Sequence, residues 1–144
     1  MARTIAFIAD QDTRPGVVYR PAPGLRRLVA PNAGPFTYTG TGTYIVGEGD
    51  VAVIDPGPAI AGHIAALSSA LAGERVGAIL VTHTHRDHSP AARALGTATG
   101  APVIGCAPLA AGAGNGDAEE GLDAAYRPDR VLQDGEEVRG DGWT

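Results

Sequence analysis

Two apolar rhythms run through the first two thirds of the chain. Residues 51–54 and 76–81 are short apolar runs of strand length. Between them Ile60, Ile64, Leu67 and Leu71 recur at helical spacing and predict a helix over 59–72, closed by Gly73. His63 borders that stripe and reads as a boundary residue, not a ligand. A second helix is expected over 90–99. Pro90 suits the first helical position, Ser89 can cap the free amides, and Gly100 ends the helix. Residues 102–105 then read as a short strand. Upstream, 36–46 alternates Thr and Tyr with small residues, a strand pattern loosened by Gly40 and Gly42. Its end pairs with 51–54 as a hairpin around Glu48-Gly49. Residues 25–30 suggest another strand, with Arg26-Arg27 on a solvated face, and 31–35 a turn. Pro15-Gly16, Pro21 and Pro23-Gly24 make 1–24 a short strand followed by irregular chain.

The order hairpin, helix, strand, helix, strand predicts an α/β fold, half of an α/β sandwich. After Cys106 the pattern fades. Residues 107–116 are Ala/Gly-rich, and 117–144 carry nine acidic residues and three arginines. Asp134-Gly135 and Asp141-Gly142 are turn signals. Trp143-Thr144 reads as the opening of one more strand.

Between the run at 76–81 and the helix at 90–99 lies the stretch that carries chemistry. Three of the 4 histidines fall within His83-Thr84-His85-Arg86-Asp87-His88. In extended chain, side chains two apart face the same way, so His83 and His85 can converge on one point. Two neutral imidazoles suit a zinc-type ion. Asp87 and His88 can aim at a neighbouring position. Two ions about 3.5–4 Å apart make a hydrolytic two-metal site. The junction of a buried strand with a helix is where open α/β folds place chemistry. Asp55, in the Asp55-Pro56-Gly57 turn, is expected to hold that turn through its own backbone in preference to direct metal contact.

Composition narrows the picture. With 44% apolar and 19% charged residues in 144, the chain reads as one globular domain with a modest core. A net charge of −5 gives no basic footprint for nucleic acid. One cysteine, Cys106, excludes an internal disulfide and fits a reducing compartment. No apolar run is long enough to span a membrane, and the apolar centre at 5–9 is too short for a signal peptide. The expectation is a cytoplasmic protein.

His83-x-His85-x-Asp87-His88 resembles the signature of the metallo-β-lactamase superfamily. From Thr82 to Pro90 it looks most like the branch of glyoxalase II-like hydrolases and β-lactamase-like endoribonucleases. Asp55-Pro56-Gly57 is similar to the Asp-x-Gly turn upstream in that family. The resemblance implies the first half of an αββα sandwich, with a mixed sheet and helices on one face. It also implies two zinc ions held by His83, His85, Asp87 and His88. Asp87 would then be the catalytic residue that orients the hydroxide, with Asp55 and Ser89 structural beside the site. The family's further ligands have no counterpart here, so residues 1–144 are expected to be a C-terminally truncated N-terminal portion. On that expectation its isolated form is inactive and either completed by the missing half or self-associating.

Three functions follow. The first is zinc-hydroxide hydrolysis of a thioester, ester or lactone, with a small-molecule substrate. The second is an RNA-cutting enzyme of the same fold. The third is a non-catalytic domain or the product of a broken gene.

Overall fold

A computed structural model describes residues 11–109 and 121–144. The opening of the chain and most of the Ala/Gly-rich stretch lie outside these residues. One seven-stranded sheet runs β1 (Tyr19–Ala22), β2 (Leu25–Val29), β3 (Gly42–Glu48), β4 (Asp50–Ile54), β5 (Arg75–Val81), β6 (Val103–Gly105) and β7 (Arg130–Val131), in spatial order identical to chain order. The first four strands are antiparallel neighbours, and β4 to β7 are parallel. Helix α1 (Ala61–Ala70) links β4 to β5, and α2 (Ala91–Thr99) links β5 to β6. This is the mixed α/β sheet expected. Because β4, β5 and β6 run parallel, the turns after them emerge at one end of the sheet.

Both helices cover one face. Leu67 and Leu71 with Ala92 and Leu95 pack on Leu28, Ile45, Val53, Ile79 and Val81. The opposite face gathers Ala52, Ala78 and Ile104 under Trp143, flanked by Leu132 and Val138. Strand β5 serves both faces through a register shift. Val51 pairs with Val76 but Ala52 with Ala78, so Gly77 is the extra residue of a bulge. The bulge puts Val76 on the same face as Ile79 and Val81 despite their odd spacing.

Several sequence expectations change. The N-terminal strands belong to this same sheet, because β2 pairs along its length with β3. Strand β1 occupies part of the stretch read as irregular. Strand β3 starts only at Gly42. Before it the chain doubles back through a Gly34–Tyr38 bridge, with Tyr38 at φ 54° and Gly40 at φ 125°. A Cβ at Gly40 would lie 2.1 Å from the Ala30 carbonyl oxygen, so only glycine fits that corner.

Arg26 is 6% exposed, not solvated. It shares the helix face with Leu28, donates to the Ala70 carbonyl at 2.9 Å and pairs with Glu74 at 2.6 Å. There its charge meets the carbonyl end of α1. Trp143, expected to open a strand, sits in an isolated bridge with Gly140. Its indole N–H donates to Asp50 at 3.1 Å, and the bridge folds the backbone around the ring. Among the described residues, no helix is long and apolar enough to cross a membrane.

Candidate metal centre

The motif occupies the loop between β5 and α2, and its own backbone makes it compact. The amides of His88 and Ser89 both donate to the His85 carbonyl, at 2.9 and 3.2 Å, which closes a tight turn over Arg86 and Asp87. A distant segment then pins this turn. His85 bridges Leu122, Arg86 N–H donates to the Gly121 carbonyl at 3.0 Å, and Asp123 N–H donates to the Thr84 carbonyl at 2.6 Å.

All four predicted ligands lie together. The His83 ring sits 4.9 Å from that of His85, edge on, and 4.1 Å from that of His88, centroid to centroid. Asp87 Oδ2 lies 3.1 Å from His88 Nε2 and accepts from the Thr41 hydroxyl at 2.8 Å. The expected division into a His83–His85 pair and an Asp87–His88 pair is not sharp, because His83 adjoins both other imidazoles.

Asp55 is the residue the sequence placed least well. Its carboxylate does not turn back on its own loop. It accepts the Thr82 amide at 2.8 Å, the Thr82 hydroxyl at 2.7 Å and His88 Nδ1 at 3.0 Å. The reason is its backbone. At φ 47° Asp55 ends β4 in a left-handed conformation that sends the side chain across to the end of β5. One donor atom each from Asp55, His83 and His88 all lie within 4.8 Å of one another.

The electrostatics follow from this packing. Burial alone would raise the Asp55 carboxyl, but the hydrogen bonds from His88 and Thr82 outweigh it and hold the pKa below the usual range. The bond to Asp55 raises His88 against a smaller opposing effect of burial, with the Asp87 charge adding to it. Burial lowers His83, and the neighbouring His88 charge lowers it further. His88 thus lies between two carboxylates, with Nδ1 on Asp55 and Nε2 facing Asp87. Imidazole nitrogens and carboxylate oxygens are the donor types zinc takes. A carboxylate behind an imidazole, fixing its tautomer, is how ligand histidines are usually supported. The donor set therefore fits a divalent metal.

Ser89 does not cap α2. Its hydroxyl donates to Asp123 Oδ2 at 2.8 Å, and Pro90 occupies the cap position without a side-chain bond. Ser89 is buried beneath the loop, so its hydroxyl takes the carboxylate within reach. His63 is not at a boundary. It is 1% exposed, with Nε2 3.0 Å from the Pro56 carbonyl oxygen. Thr41, Thr43 and Asp123 also support the site, and no local signal in the sequence marks them. A cleft of about 280 Å³ opens over His85, Asp87 and His88, walled by 34–37, where Phe36 is 73% exposed.

Residues 38–144 match the family Metallo-beta-lactamase superfamily. Lactamase-like protein ptaB of Pestalotiopsis fici is 39% identical over 71 residues, 47% of this chain and 23% of that protein. Atrochrysone carboxyl ACP thioesterase of Aspergillus terreus is also 39% identical over 71 residues, 47% of this chain and 22% of its own length. The alignments thus span under a quarter of these curated relatives. A metallo-beta-lactamase variant from Cronobacter sakazakii superposes with a TM-score of 0.63 at 22% identity, over 87% of this chain and 50% of that one. At that identity the likeness is one of fold.

Proposed function

The chain belongs to the metallo-beta-lactamase superfamily, and from that premise we propose that it forms part of a metal-dependent hydrolase acting on a small thioester, ester or lactone. The observation that carries this reading is the convergence of His83, His85, Asp87 and His88 at one end of the parallel strands, backed by Asp55. The thioesterase named among the relatives favours a thioester.

In this reading His83, His85, Asp87 and His88 hold two zinc ions. When bound, such ions bring the pKa of a water toward neutral and polarise the scissile carbonyl. Asp55 keeps the hydrogen of His88 on Nδ1 and leaves Nε2 turned toward Asp87. The Thr41 hydroxyl fixes one oxygen of Asp87. The carboxylate is then oriented to accept a hydrogen bond from the attacking water and to aim it at the carbonyl carbon. The exposed Phe36 beside the cleft offers an apolar rest for an acyl group.

A catalytic zinc takes three protein ligands and a water. Four ligands are too few for two such ions, so residues outside these 144 are proposed to complete the set. On that proposal, these residues alone bind zinc weakly and turn over nothing measurable.

The test is turnover of a panel of thioesters, esters and lactones by the zinc-loaded full-length protein, alongside Asp87→Asn. Thioester cleavage falling about 100-fold or more in the variant, the cost expected for a misplaced reacting group, supports the reading. Two bound zinc ions with no turnover of any panel member would favour a non-catalytic domain.

A further inference from the structure

Behind Asp55 lies a buried pair of side chains that the metal ligands do not use. Thr43 on β3 and His63 on α1 are both essentially inaccessible to solvent. The Thr43 hydroxyl donates its one hydrogen to the Asp55 carbonyl at 2.8 Å. Toward His63 it can therefore only accept. His63 Nε2 lies 3.2 Å from that hydroxyl and 3.0 Å from the Pro56 carbonyl oxygen. Both neighbours are acceptors, so Nε2 carries the hydrogen and Nδ1 is the bare nitrogen. Nδ1 is buried and has no hydrogen-bond partner among the described residues. A hydrogen there would be an orphaned donor, so the neutral Nε2–H tautomer is the one this site accommodates. Burial, which lowers the His63 pKa, acts in the same direction.

The turn they hold packs directly against the motif. Asp55 keeps φ 47°, a conformation that a non-glycine residue retains only where its surroundings impose it. Gly57, at φ 88°, brings its backbone so close that a Cβ would sit 2.8 Å from His63 Nε2. Its N–H donates to the His88 carbonyl at 2.9 Å, and its carbonyl accepts Ala91 N–H at 2.9 Å. The turn thus grips His88 twice, through the Asp55 carboxylate and through Gly57.

We infer that His63 and Thr43 clamp the two carbonyls of the Asp55-Pro56 turn and thereby position His88 in the candidate metal centre. Both are positioning residues, since neither lies among the grouped donors. The zinc part of this inference rests on reading the centre as a metal site; the clamp itself does not.

The experiment compares wild-type full-length protein with His63→Phe, Thr43→Val and His63→Gln. His63→Phe keeps a flat ring without a donor. Thr43→Val keeps the branched shape without the hydroxyl, and serves if the ring variant does not fold. In His63→Gln the amide N–H can replace the Nε2 donor. Two quantities are read: amide hydrogen exchange at Gly57 and Thr82 in metal-free protein, and zinc affinity. The expectation is faster exchange at those two amides in His63→Phe and Thr43→Val, with unchanged exchange at Val53 and Ile79. Zinc affinity should fall by about 10–100-fold, the usual cost of losing support behind a ligand. His63→Gln should recover most of both. Unchanged exchange at Gly57 and Thr82 in both donor-less variants would overturn the clamp, whatever zinc does. Faster exchange in a protein whose wild type takes up no zinc would uphold the clamp and overturn the metal reading.

Discussion

Strand β4 carries an aspartate at each end, and the two do different work with the same chemistry. Asp50 opens the strand, and Asp55 follows its last residue. Each carboxylate is enclosed by donors. Asp50 pairs with Arg75 and accepts the Asp141 amide at 2.8 Å and the Trp143 indole at 3.1 Å. Asp55 accepts twice from Thr82 and once from His88. Hydrogen bonds keep both acids below their ordinary pKa: chiefly the Asp141 amide for Asp50, and for Asp55 those from His88 and Thr82, which together outweigh burial, the largest single effect. The difference lies in the donors. Those of Asp50 tie down residues 141–143 and have no lone pair for a metal. One of those on Asp55 is an imidazole whose other nitrogen faces the cleft. A caged carboxylate thus becomes part of a site only when its partner has a second function to offer.

The comparison is tested first at the Asp50 end. Trp143→Ala should remove about 3–5 kcal/mol of stability, as expected for losing a buried aromatic, while zinc affinity stays put. Chemical denaturation and zinc titration together check this, and a large loss of affinity would show that the two ends are coupled. At the other end, Asp55→Asn keeps the shape but loses one acceptor. Zinc affinity should fall by about 10–100-fold, with less effect on unfolding than Trp143→Ala.

A smaller effect is expected at Ser89. Ser89→Ala should cost about 1 kcal/mol, the net worth of one hydrogen bond. A cap would cost much the same, so the double variant with Asp123→Ala decides. A coupling of about 1 kcal/mol between the two sites supports their contact, whereas additivity would restore the capping role.

The smallest effect concerns pH. His63 has its folded pKa lowered from 6.5, so the unfolded chain binds the proton more readily. The stability contributed by neutral His63 is complete above about pH 6.5, the ordinary histidine value, and is lost as pH falls below it. The wild type should therefore lose stability faster than His63→Gln between about pH 6.5 and 5. Parallel stability curves for the two proteins would mean that His63 titrates normally.

What the sequence disclosed was local. The periodicities at 51–54, 60–71 and 76–81 located strands and a helix because each needs only its own residues. The motif was legible for the same reason, being contiguous from His83 to His88. Its support was not. Asp55, Thr43, His63, Thr41 and Asp123 reach it from separate elements, through a left-handed turn and a segment more than 30 residues downstream. Arg26 and Ser89 were misplaced because residue type suggested solvent and a helix cap. The fold instead offered Arg26 the carbonyl end of α1, and Ser89 a buried carboxylate. The bulge at Gly77 has no signature in a run of apolar residues, yet it decides which of them face the helices.

The central claim is that the cluster at the end of β5 is a metal centre. Zinc content at equilibrium, after dialysis of metal-free full-length protein against buffered zinc, tests it most directly when wild type and a His83→Ala/His88→Ala double variant are compared. The account predicts stoichiometric zinc in the wild type and its loss in a variant that remains folded. Equal zinc in both proteins, or none in the wild type, would contradict it.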